Sequence, residues 1–515
     1  MAEHAAGEVG QAASPANSAA TDDAPLRQRL IDLLWADPAS AEALPLQAFL
    51  DETDPGRGLV QWFGRRADGT GRAQLLAALD RDIARLDELL SLQLDAILHA
   101  QRLQRLEASW RGLAYLLGRA DGMANIKVKV LDLRWVELCR DLGRAPDFDR
   151  SQVFQKVYET EFGMPGGEPF GVLLGDYAVR HRPGAGHSTD DVAALTAMSH
   201  VAAAAFCPFL VTADPALFGM DSFDDLSAAT NMVAPFRQAE YERWKSFQAT
   251  EDARFVSVLM PQVLMRPPYG DDPARADGFR YRETAKTAEH HLWGSPVFAF
   301  GTVVLRAYVG YRWNADIRGV QGDAESGGLV ADLPILSFAT DRPGIATKYA
   351  TAAYLTERQE NELCEHGFLP LMNCQYTPHS AFFGNASVQR AQAYDGQAAT
   401  INARMSAMLQ YMLCVSRFAH YIKVMARDWT GSFASAEDCQ RKLSQWLQGF
   451  CASTDEVSFE TKARYPLREA KVSVREVSGS PGLYFATIQL KPHFQLDQIV
   501  SSFKLTTTLP GKTAA

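Results

Sequence analysis

The sequence predicts an α/β fold on three observations. Short β-branched runs alternate with helical runs through the middle of the chain, a long amphipathic helix precedes them, and paired period-2 runs follow them. Alternating strand and helix patterns are what a sheet covered by helices requires, because each element must bury its apolar face against another.

Residues 1–24 are rich in Ala, Gly, Ser and Asp without an apolar period, so the expectation is a disordered N-terminus. Residues 25–74 include RQRLIDLLW and ALPLQAFLDETDPGRGLVQWFG, too short to close a core, and read as an arm or linker. From Leu75, the residues Leu79, Ile83, Leu86, Leu90, Leu94 and Ile97 recur at spacings of three and four, with Asp80, Arg81, Arg85, Asp87 and Glu88 between them. That spacing predicts one long amphipathic helix. The pattern resumes at Leu103, Leu106, Trp110, Leu113 and Leu117, so 75–118 is expected to be helical, as one helix or a close pair suited to docking against another helix.

The span 119–461 is the expected α/β core, in one or two subdomains. Its β-rich runs are IKVKVLDL (126–133), PFGVLLGDY (169–177), PFLVTAD (208–214) and FVSVLMP (255–261), interleaved with helical runs such as DVAALTAMSHVAAAAF. MSAMLQYMLCVSRFAHYIKVMARDW (405–429) is apolar nearly all round and predicts a buried helix. In 462–515, KVSVREV (471–477) and LYFATIQL (483–490) flank GSPG and predict a β-hairpin. A third run, IVSSFKLTTTL, predicts a further strand.

Composition bounds the function. With 47% apolar and 22% charged residues over 515, the chain can bury a large core, and its 61 acidic against 51 basic residues, without a basic cluster, speak against nucleic acid as a partner. The apolar stretches Ala202–Val211 and Val297–Val304 fall short of the roughly 20 residues that cross a bilayer, so no membrane insertion is expected. The N-terminus has neither the basic nor the apolar region of a secretory signal, and the expected location is cytoplasmic. Seven cysteines without a CxxC pair read as reduced core residues.

No residue constellation points to catalysis. FGMPGGEPFG lacks the GK[ST] of a phosphate loop, and GDAESGGLVADLP lacks a nucleotide fingerprint. His290 and His291 are adjacent, so neither a helix nor a strand would converge them on one metal. Ser416 and His420 lie one helical turn apart but without a nucleophile elbow. Glu251 and Asp252 stand beside Arg254 before a strand, as a local ion pair would. The aromatics of EYERWKSF read as packing. The expectation is a structural protein, with no enzyme activity and no cofactor.

Six blocks carry a resemblance. LDELLSLQLDAILHAQRLQRLEASWRGLAYLL (86–117), PFGVLLGDY, MSHVAAAAFCPFLVTADPALFGMDSF (198–223), EYERWKSFQATEDARFVSVLMPQVLMRPPYG (240–270), SRFAHYIKVMARDWTGSF (416–433) and KARYPLREAKVSVREVSGSPGLYFATIQLKPHFQLD (462–497) together resemble the large subunit of the type VI secretion contractile sheath, the VipB/TssC/EvpB/ImpC family. The segment before residue 75 and the residues after GDY depart from the family pattern, as in a divergent copy.

The resemblance implies a contractile-tail-sheath-like core, a helix that packs on the small sheath subunit (VipA/TssB-like), and a C-terminal hairpin that joins sheets between subunits. It implies further partners: copies of the chain itself, the Hcp tube, the baseplate, and the unfoldase ClpV directly or through the small subunit. On this reading Leu79, Ile83, Leu86, Leu90, Leu94 and Ile97 form the helix interface. Val472, Val474, Val477, Tyr484, Ala486, Ile488 and Leu490 belong to the intersubunit strands. The alternative is a non-polymerising sheath-like adaptor or baseplate-associated binding module.

Overall fold

The computed structural model describes residues 49–64, 71–184, 186–229, 231–270, 272, 274, 278–320, 325–339, 346–375, 377–428, 435–452, 458–476 and 484–493. The chain divides into two units, one of Met1–Ala100 with Pro268–Ala285 and one of Gln101–Pro267 with Lys286–Ala515. Residues 1–48, which hold the expected disordered N-terminus and half of the arm, lie outside the described residues, as do Val477, the GSPG turn and the run IVSSFKLTTTL.

In the first unit, the arm sequence DPGRGLVQWF forms helix α1 (Pro55–Phe63). Asp54 accepts from the Arg57 N–H at 3.0 Å and Pro55 opens the first turn, the combination that starts a helix where backbone donors lack partners. The long helix α2 runs over Arg72–Leu98. Its inner face buries Asp82, Leu89 and Asp95. Each carboxylate is satisfied from afar in sequence: Trp62 Nε1 donates to Asp82 Oδ2 at 3.1 Å, and the Tyr281 hydroxyl donates to Asp95 Oδ1 at 2.8 Å.

In the second unit, helix α3 (Gln101–Ala120) follows α2 after a break at His99–Ala100, so the predicted 75–118 segment is a pair of helices. The unit's centre is a six-stranded sheet of β1 (Leu173–Val179), β2 (Phe209–Ala213), β3 (Val256–Met260), β6 (Leu329–Val330), β9 (Phe368–Asn373) and β10 (Ser380–Phe382). The order is β1-β2-β3-β9-β10-β6, parallel from β1 to β9 and antiparallel beyond. Smaller two-stranded pairs are β4 (Val263–Arg266) with β5 (Leu292–Gly294), and β7 (Leu336–Ala339) with β8 (Ala346–Tyr349).

Both faces of the sheet are covered, which is why β2 and β3 are fully buried and read as continuous apolar runs. Phe209, Val211, Val256 and Val258 point into a core shared with α4 (Trp135–Arg144) and α5 (Asp191–Ala205). Leu210, Leu259 and Leu371 point the other way, into a core with α3 and α6 (Val297–Tyr311). A third cluster joins Trp313, Cys414, Phe418 and Leu447 to Leu467 and Ala470 of the C-terminal hairpin.

Two expectations are corrected. IKVKVLDL forms no strand: residues 126–133 lie outside any helix or strand, because no strand among the described residues pairs with them. The 405–429 run is not uniformly buried. Its helix α7 (Leu409–Asp428) buries Leu409, Met412, Leu413 and Phe418 but exposes Tyr421, and a break at Ala407–Met408 separates it from a preceding helix.

Candidate assembly surfaces

The residues singled out from the sequence lie on two elements, helix α2 and the C-terminal hairpin. On α2, Ile83 is 54% exposed, Leu90 42% and Ile97 56%, while Leu79, Leu86 and Leu94 are half-buried. The three exposed residues are spaced by seven, so they form one narrow stripe along the helix, the seam width used when a second helix packs alongside. Sequence periodicity grouped these six residues but missed that Asp82, Leu89 and Asp95 face inward. The signal was weak because the two aspartates read as surface residues until Trp62 and Tyr281 are placed beside them.

The second surface is the C-terminal hairpin, β11 (Leu467–Glu476) against β12 (Tyr484–Pro492). Helix α8 (Ala436–Gln448) packs along it, and Val472, Ile488 and Leu490 lie on the cluster around Trp313 and Phe418. Val474 faces Ala486, yet its N–H donates to Gln440 Oε1 at 3.0 Å. This pair is therefore one of the ladder positions whose N–H groups point away from each other. Ala486, and by the same alternation Ile488 and Leu490, thus aim their N–H groups at the outer edge of β12. The outer edge of β11 is partly occupied, since Gln440 meets Val474, Gln448 Nε2 donates to the Ala470 carbonyl at 3.4 Å, and Cys451 bridges Leu467. The outer edge of β12, which has one neighbouring strand among the described residues, is met at Leu490, whose carbonyl accepts from the Tyr411 hydroxyl at 3.2 Å, and is open at Ala486 and Ile488.

The residues weighed for chemistry take local roles. His291 Nδ1 lies 3.1 Å from the Thr287 carbonyl, and the Arg254 Nε donates to the Glu251 carbonyl at 2.7 Å ahead of β3. His420 Nε2 donates to the Ala205 carbonyl at 3.0 Å, a bond that fixes its tautomer, while Ser416 is buried on α7. Desolvation holds the His420 imidazole below its ordinary pKa and pushes the Cys414 thiol up to about 12. Among the described residues no group of three His, Cys, Asp or Glu is gathered as metal ligands, and no helix is long and apolar enough to cross a membrane.

Residues 80–389 match the family described as EvpB/VC_A0108, tail sheath N-terminal domain, and residues 398–509 match the EvpB/VC_A0108, tail sheath gpW/gp25-like domain. A curated relative, the type VI secretion system sheath protein TssC1 of Pseudomonas aeruginosa (strain PAO1), is 36% identical over 481 residues, covering 91% of this chain and 95% of the relative. Among solved structures, the anti-feeding prophage baseplate covers 75% of this chain and 84% of that chain at 10% identity and a TM-score of 0.36. The contracted anti-feeding prophage sheath covers 61% and 67% at 12% identity and a TM-score of 0.30. Both matched families are described as tail sheath domains. The chain belongs to the VipB/EvpB tail sheath family, as a large sheath subunit of a type VI secretion system.

Proposed function

We propose that this chain pairs with a small VipA/TssB-like sheath subunit in the cytoplasm, polymerises with copies of itself around a tube of Hcp rings, and contracts to eject that tube. The observation that carries the reading is the near full-length relationship to TssC1, with 91% of the chain aligned. Two physical features support it. The stripe of Ile83, Leu90 and Ile97 has the spacing of a helix-to-helix seam, and the outer edge of β12 offers the N–H groups of Ala486 and Ile488 to an incoming strand.

A strand added at that edge makes roughly four to six main-chain hydrogen bonds at about 0.5–1.5 kcal/mol net each. One joint is then weak, and a lattice of them is strong. Weak repeated joints suit a polymer whose subunits must rotate without separating. The baseplate would seat the first ring, and ClpV would disassemble the contracted form directly or through the small subunit.

Coexpression with the neighbouring small-subunit gene tests the pairing. Copurification of both chains in equal amounts is expected; recovery of this chain without the small subunit would contradict it. A soluble pair that never polymerises would favour the adaptor or baseplate-associated module.

A further inference from the structure

Residues 126–131, sequence IKVKVL, have the composition and alternation of a strand, with β-branched residues at every second position. They lie outside any helix or strand, and among the described residues no main-chain N–H or carbonyl of 126–131 has a protein hydrogen-bond partner. Main-chain groups are obligatory hydrogen-bonders, and a strand with both kinds unmet is a template for pairing with another chain.

The segment is also held in shape. Lys127 pairs with Glu168 at 2.7 Å, Lys129 pairs with Glu161, and the Lys129 ammonium lies 5.4 Å from the centre of the Phe170 ring. These contacts fix one face of the alternation. The other face turns outward, with Val128 38% and Val130 68% exposed. A solvated linker would have no reason to place valines there, since exposing them forgoes their burial.

We propose that 126–131 is a β-augmentation site that takes a strand of the small sheath subunit. This rests on the pairing proposed above. Three points select the occupant. The lysines are already neutralised, so the fitting strand is uncharged and apolar on the face that meets Val128 and Val130. A second copy pairing through its own 126–131 would make an isologous contact, which closes on itself and cannot propagate a helical polymer. Finally, the segment follows α3, whose Leu106, Trp110 and Leu117 form a further exposed apolar stripe on the same unit, so a partner that covers α3 reaches the segment without a separate docking event.

The test is amide hydrogen exchange on the coexpressed complex, joined to the double variant Val128→Lys/Val130→Lys, which alters exposed side chains and leaves the core intact. Alternate amides of 126–131 should exchange at least ~100-fold more slowly than in an unbonded chain. The double variant should recover the small subunit at least ~10-fold less well, because charges placed in a dry strand interface are desolvated. Protection with undiminished recovery would mean that a neighbouring copy lends the strand, and would overturn the inference. Free exchange at 126–131 in a complex that still holds the small subunit would overturn it too, and would leave the pairing untouched. Failure of the wild-type chain to bind the small subunit would overturn the pairing and this inference together.

Discussion

Arg266 on β4 donates through Nε to Glu107 Oε1 on α3 at 2.8 Å, with 6% and 17% of the two side chains exposed. The same Glu107 oxygen accepts from Arg111 Nε at 2.7 Å, but Arg111 is 40% exposed. Removing Glu107 takes the carboxylate at 2.8 Å from a buried guanidinium, whereas removing Arg111 leaves the buried pair intact. Glu107→Ala is expected to cost about 3–5 kcal/mol and Arg111→Ala at most about 1 kcal/mol, measured by denaturant unfolding. Equal losses would mean that the buried pair contributes nothing of its own.

On the same helix, the Phe298 ring occupies the space a β-carbon on Gly112 would fill. An exposed helical Gly→Ala change stabilises by up to about 1 kcal/mol. Here the sign should reverse, with Gly112→Ala destabilising by about 1–3 kcal/mol through overpacking between α3 and α6. Phe298→Leu in the same chain should recover part of the loss, and the shortfall from additivity measures the contact.

Acid should weaken the fold through two histidines. Burial holds the His420 and His181 imidazoles below the ordinary value of 6.5. The folded state therefore resists a proton that the unfolded chain accepts. Their contribution is present above about pH 6.5 and is lost as pH falls from there through the depressed folded values. The melting temperature should drop between pH 7 and pH 5, and His420→Gln, which keeps a donor for the Ala205 carbonyl, should flatten that dependence. An unchanged slope would refute the assignment.

The stripe on α2 predicts a separation of binding from folding. Ile83→Asp with Leu90→Asp should abolish copurification of the small subunit while the far-ultraviolet circular dichroism and melting temperature stay near those of the wild type, since both residues are exposed. Loss of the fold along with binding would place the stripe in the protein's own core.

Much of this structure was legible in the sequence, and the exceptions share a cause. The apolar period of α2, the fully apolar runs of β2 and β3 and the period-2 runs of β11 and β12 each depend on local spacing, and each was read. Asp82 and Asp95 were not recognised as buried, because their partners Trp62 and Tyr281 lie 20 and 186 residues away. The 126–133 run carries a strand pattern, but among the described residues nothing pairs with it. The Val474 N–H turns outward to Gln440 on α8, a register detail set by tertiary packing that local spacing does not carry.

That register makes the polymer testable at one position. Ala486 is exposed on β12, and its N–H is aimed away from β11, so Ala486→Pro removes an outward donor without taking a bond from the hairpin or a side chain from the core. Electron microscopy of the coexpressed pair is the most direct measurement. The wild-type pair should form long tubes, and the Ala486→Pro pair should stay as discrete complexes that still contain the small subunit. Wild-type pairs that never form tubes, or Ala486→Pro tubes indistinguishable from wild type, would contradict assembly through the β12 edge.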